Sequence, residues 1–194
     1  MSKPDPSASK RERFRAIRWV VTIFLLTIVI SGTISFVSDA IMSVSSMLVA
    51  FVILLIIVLI GILFDIIGVA VTSADEKPFH SMAARKVPGA QEAIRLLRNA
   101  ERVSSICNDV VGDICGVVSG SAAATIAIQI VQKGEISWAE QISLVMSALV
   151  AGLTVGGKAI GKTFAIDSCT QIVQIVGKII WWLRNWPKVF KKRK

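Results

Sequence analysis

Residues 48–64 read LVAFVILLIIVLIGILF, an apolar run that meets no charge until Asp65. A buried parallel strand uses about 4–8 residues, whereas a helix crossing a hydrocarbon core of about 30 Å needs about 20. With its flanks, the run over 47–71 fits only the second. It is read as a transmembrane helix, and an α/β sheet is excluded. The whole chain agrees: 54% of its 194 residues are hydrophobic, 18% are charged, and the mean hydropathy is +0.68. A soluble domain cannot hide that much apolar surface. The fold class expected is all-α, an integral membrane bundle.

Three more spans flank the first. Trp19–Val37 follows a polar and then basic head, residues 1–18. It is long for a signal-peptide core and has no small-residue cleavage site, so it is read as an uncleaved anchor. A third span covers about 103–131, interrupted by Asn108, Asp109 and Asp113. A fourth covers about 142–165 and is rich in Gly, Ala and Ser, the residues that let membrane helices approach closely. QKGEISW (132–138) reads as the turn between them. The transmembrane domain thus runs over 19–166.

Between spans two and three, residues 72–102 turn polar, with breaks expected at Pro78 and Pro88-Gly89. Ala90, Ile94, Leu97 and Val103 recur at helical spacing opposite Arg95, Arg98 and Arg102, which predicts a helical hairpin. Residues 167–194 form a last unit. Ile172, Ile175, Ile179, Leu183 and Trp186 make a stripe opposed by Gln171, Gln174, Lys178 and Asn185. Trp181, Trp182 and Trp186 suit a headgroup boundary, and KKRK closes the sequence. This predicts an interfacial amphipathic helix with a basic tail, partnered by anionic lipid headgroups.

Charge placement sets the orientation. Of 22 Lys and Arg residues, six lie in 1–18, six in 72–103 and seven from Lys178 onward. The loop 38–46 has none, and the loop after span three has only Lys133. The positive-inside bias predicts four spans in the cell membrane, with both termini and the hairpin cytoplasmic. The formal net charge of +9 is therefore lipid-directed, and no nucleic-acid partner is expected.

GGKAIGKT (156–163) matches the phosphate-binding loop pattern G-x-x-x-x-G-K-[ST], yet a P-loop needs a strand before it and a helix after it. Here ISLVMSALVAGLTV precedes it, too long and too rich in small residues for a strand, so no nucleotide is expected. Gly152, Gly156, Gly157 and Gly161 admit two readings: a close-packing helix face, or a loosened helix whose carbonyls line a cavity. Lys158 either snorkels to the surface or faces an acid inside the bundle. Asp65 in span two and Asp109 and Asp113 in span three are the candidate acids. The latter two, spaced i and i+4, share a helix face and can also be read as interfacial residues favoured by the helix dipole. With Asn108, these hard oxygen donors suit Mg²⁺ or a similar cation. Cys107, Cys115 and Cys169 have neither zinc nor disulfide spacing. His80 stands alone in the polar hairpin, and no nucleophile–base set appears, so an enzyme is not expected.

FDIIGVAVTSAD (64–75), AIRLLRNAERVSSI (93–106), CNDVVGDICG (107–116) and GKAIGKTFA (157–165) follow one another in an order that resembles the transmembrane domain of the cyclin M/CorC magnesium transporters, over about 47–180. That family has Phe-Ser-x-x-Glu/Asn, Gly-Asn-x-x-x-Asn and Gly-Glu-x-x-Pro-Lys motifs in successive spans. Phe64, Asn108, Gly157 and Lys162 match its letters. Asp65 replaces the Ser, Gly68 the Glu or Asn, Gly112 the second Asn, Lys158 the Glu and Gly161 the Pro. The resemblance implies a homodimer that moves Mg²⁺; the residues read as ligands are Asn108 and the intramembrane acids Asp65, Asp109 and Asp113, with Gly68, Gly112, Gly157, Lys158 and Gly161 shaping the site. The paired CBS modules of that family are not in the sequence, so nucleotide regulation is not implied. Two alternatives stand beside transport. One is a membrane interaction protein locked by a Lys–Asp pair; the other is a holin-like pore former, which leaves the polar hairpin unexplained.

Overall fold

The computed structural model describes residues 6–44, 46–134 and 139–191, and they form helices joined by short links. In order these are α1 (Pro6–Val44), α2 (Met47–Ser73), α3 (Lys77–Ala84), α4 (Ala90–Arg98), α5 (Ala100–Ser104), a π-helical turn (Ser105–Val111), α6 (Gly112–Gly134), α7 (Ala139–Asp167) and α8 (Cys169–Lys191). Four stretches are long and apolar enough to cross a membrane: Ile17–Ser38, Met47–Ser73, Ala100–Val131 and Ser143–Asp167. Each lies within a few residues of the span read from the sequence. The expected turn at 132–138 is corrected at its start, because α6 continues as helix through Gly134; residues 135–138 lie outside the described residues.

The outward surface of these helices is apolar: Phe36, Leu48 and Ile160 are each about three-quarters uncovered by the rest of the chain. In water such a surface would be intolerable; in a hydrocarbon layer it is the solvent-matched face. Because lipid tails are as apolar as leucine, close packing rather than water exclusion must hold the bundle. The contacts follow that rule. Helices α2, α6 and α7 meet through Ala50, Ala122 and Ala123, all fully buried, together with Leu54, Val58, Ile126 and, from α7, Val150. Helix α1 leans on the outside of the third span, where Ile23 and Ile30 pack against Val110, Ile114 and Val118.

A second cluster closes one end of the bundle. Phe79 of α3, Ala93 and Leu97 of α4, Ala165 of α7 and Val173 of α8 pack around Ala70 and Val71 of α2. Phe79 is fully buried, and burying such a side chain away from water contributes roughly 1.5–3 kcal/mol. Pro78 does not break the chain here as expected; it sits in the first turn of α3, where its missing N–H is no loss. The reversal comes instead at 85–89, through Lys86 and Gly89, both with positive φ. The first apolar span begins at the same end: the Arg102 guanidinium lies 5.5 Å from the Trp19 ring centre.

Helix α8 presents three faces. Residues step by about 100° around a helix, which sets Val173, Gly177 and Arg184 together toward α4. Gly177 crosses Gly89 so closely that a Cβ on Gly177 would stand 2.5 Å from the Gly89 carbonyl oxygen. Ile175, Ile179, Trp182 and Leu183 form an uncovered apolar strip, and Gln171, Gln174, Lys178 and Asn185 lie between the two. The expected stripe is therefore corrected at Ile172, which packs against the hairpin-end cluster. The Trp186 side chain and the end of the KKRK tail, 192–194, lie outside the described residues, as do residues 1–5 of the basic head.

Candidate functional site

A polar layer separates the two apolar clusters. Asp65 sits about two turns, or roughly 12 Å, inside the hairpin end of α2. The helix cannot turn it outward, because its i±3 and i±4 neighbours Gly61 and Gly68 form the seam with the third span. Asp65 is 5% exposed. Lys158 reaches it from α7, with Nζ 3.7 Å from Asp65 Oδ1. A buried acid facing a lysine avoids the large cost of an isolated charge in a low-dielectric interior. Lys158 therefore points into the bundle, and its side chain is 23% exposed.

Glycines make the room for this contact. A Cβ on Gly112 would stand 3.2 Å from Lys158 Nζ, so the missing side chain is the space the ammonium fills. Gly157 and Gly161 let α7 approach α2. A Cβ on Gly157 would collide with Ile62 Cδ1, and one on Gly161 would lie 2.8 Å from Ile66 Cγ1. Gly152 and Gly156 have open space at the Cβ position. Helix α7 is continuous from Ala139 to Asp167, which removes the reading of a loosened backbone at these glycines. The close-packing role belongs to Gly157 and Gly161.

The irregular backbone is in the third span instead. Over Ser105–Val111 the chain widens into a π-turn, and the Gly112 N–H donates to the Cys107 carbonyl five residues back. Such insertions occur often at functional sites. Here the turn aims Asn108 at α2, where its Oδ1 fills the space that a Gly68 Cβ would need. Asn108 Nδ2 donates to Ser104 Oγ at 3.2 Å. Its Oδ1 is buried and accepts no hydrogen bond, and the same is true of Asp65 Oδ2. An unsatisfied buried acceptor costs about 1–3 kcal/mol, so two in one layer require an explanation.

Asp109 and Asp113 are not part of this layer. Both are exposed on the outer face of the third span, and Asp109 Oδ2 accepts a 2.8 Å hydrogen bond from Ser105 Oγ. Among the described residues no three His, Cys, Asp or Glu side chains gather as a metal-holding group. Of the residues read from the sequence, Lys158 meets Asp65 and Gly112, Asn108 meets Gly68, Gly157 and Gly161 set the helix spacing, and the two remaining acids are exposed. Sequence reasoning missed Ser104 and the π-turn. Comparison with known proteins finds no family model, no characterised protein and no solved structure that matches this chain.

Proposed function

We propose that this chain is a multi-pass membrane protein that handles cations, with Lys158 as a tethered counter-ion in the cation's place. The observation that carries the reading is two buried acceptors without hydrogen-bond partners, Asp65 Oδ2 on the carboxylate that Lys158 faces and Asn108 Oδ1 against Gly68, three residues along α2. Oxygen acceptors without donors at membrane depth suit a hard cation. With Lys158 in place the layer is neutral and closed, and one carboxylate does not offset both an ammonium and a divalent ion. A cation is admitted only when Lys158 swings outward, and its part-exposed, long side chain permits that.

The order of motifs shared with cyclin M/CorC transporters makes Mg²⁺ the first ion to try, and a homodimer the first assembly. On the positive-inside bias, the hairpin end faces the cytoplasm of the cell, and both termini lie with it. A second reading has an observation of its own. The closed 3.7 Å pair suits an interaction protein in which Lys158 and Asp65 only lock α2 to α7. The two readings part at Lys158→Glu. If the layer is a cation site, this variant loses stability in chelator and regains several degrees of unfolding midpoint with Mg²⁺. If the pair is only a lock, the loss is the same with and without Mg²⁺.

A further inference from the structure

The cleft between the α3–α4 turn and α8 encloses about 380 Å³, and the cation reading makes no use of it. Three cationic side chains line it, Lys86, Arg95 and Arg184, against one acid, Glu92. Glu92 is buried and holds the two guanidiniums from opposite helices, Arg184 Nη1 at 3.7 Å and Arg95 Nη1 at 3.9 Å. Both separations exceed hydrogen-bond range, so the arginine donors remain uncommitted, and both heads are more than half exposed. Three positive charges against one negative leave an excess that an anion would neutralise.

The Val87 and Lys86 N–H groups donate to the Met82 and Ala83 carbonyls, the paired bonds of a left-handed helix stop, with φ 57° at Lys86, and this stop carries Lys86 to the cleft. The Gly89–Gly177 crossing then fixes the distance between the cleft's two walls. Trp181 lines the cleft, while the uncovered strip of Ile175, Ile179, Trp182 and Leu183 lies beyond the polar face of α8. A lipid headgroup seated in the cleft would use the amphipathic Trp181 ring at the bilayer boundary, whereas a free phosphate would not.

We infer that this cleft binds the phosphate of an anionic lipid headgroup, with Lys86, Arg95 and Arg184 as donors and Trp181 beside the glycerol region. The inference rests on α8 lying at the bilayer surface and is independent of the cation site. The test uses the full chain in uncharged detergent. Short-chain phosphatidylglycerol, phosphatidylcholine and inorganic phosphate are titrated separately while the unfolding midpoint is followed. Phosphatidylglycerol alone should raise the midpoint. Lys86→Gln should raise its half-saturating concentration at least about fivefold, the size expected for one charge. Lys178→Gln, on the polar face of α8, should leave it unchanged. Lys86 is chosen because removing either arginine would strip a partner from buried Glu92 and disturb the fold. Equal responses to the two lipids would overturn the site, as would a Lys86→Gln response equal to that of the parent or of Lys178→Gln. A response to inorganic phosphate matching that to phosphatidylglycerol would overturn the lipid assignment.

Discussion

Lys158 and Asp65 are two charges that a membrane interior tolerates only together. Removing one partner of a buried pair is strongly destabilising, because the other charge stays behind, whereas removing both is often mild. Lys158→Met should therefore lower stability by about 3 kcal/mol, a fall of about 6–12 °C in unfolding midpoint for a chain of this size. Adding Asp65→Asn should restore most of it, and circular dichroism melts in detergent check both. Further loss in the double variant would mean that the pair is not the reason Asp65 is buried. Gly68 offers a second cycle. Gly68→Ala drives a methyl into Asn108 Oδ1 and should cost about 1–3 kcal/mol. Asn108→Ala in the same chain should relieve much of that, and additive losses would contradict the contact. The sequence carried Lys158 and its three candidate acids, because a charge inside an apolar run is conspicuous. It did not carry the choice among them, which depends on which face of each helix the small residues turn inward.

Among the elements, α7 and the third span exchange the roles that their letters invite. GGKAIGKT has the glycine density of a broken helix, yet α7 is unbroken and its glycines divide by environment. Gly157→Ala should destabilise by about 1 kcal/mol, since its methyl would meet the end of the Ile62 side chain and force it off its rotamer. Gly156→Ala should be neutral or slightly stabilising, because nothing lies within 4 Å and Ala is the better helix former. Equal melting points for the two variants would refute the α2–α7 packing. The π-turn could not be read from SSICNDVV, whose residues are all compatible with an ordinary helix; only the docking of Asn108 against Gly68 makes it visible. The hairpin was legible as an amphipathic pattern, but its docking on α8 through Gly89 and Gly177 was not, because that crossing is a tertiary contact between distant residues.

At the scale of the whole molecule, four apolar helices and the gathering of the first span's start, the hairpin and α8 at one end follow from run lengths and charge placement. Reporter fusions after Arg18, at Arg85 and after Lys194 should all read one side, the cytoplasm, and a fusion at Lys133 the other. An opposite reading at Arg85 would overturn the four-span topology. Above that frame stands the claim that Asp65 and Asn108 face a cation's path closed by Lys158. The measurement that bears on it most directly is Mg²⁺ uptake into liposomes reconstituted with the purified chain, compared with Asp65→Asn in the same vesicles. The expected result is uptake by the parent above that of protein-free vesicles, abolished in Asp65→Asn. No uptake by the parent, or equal uptake by both, would contradict it.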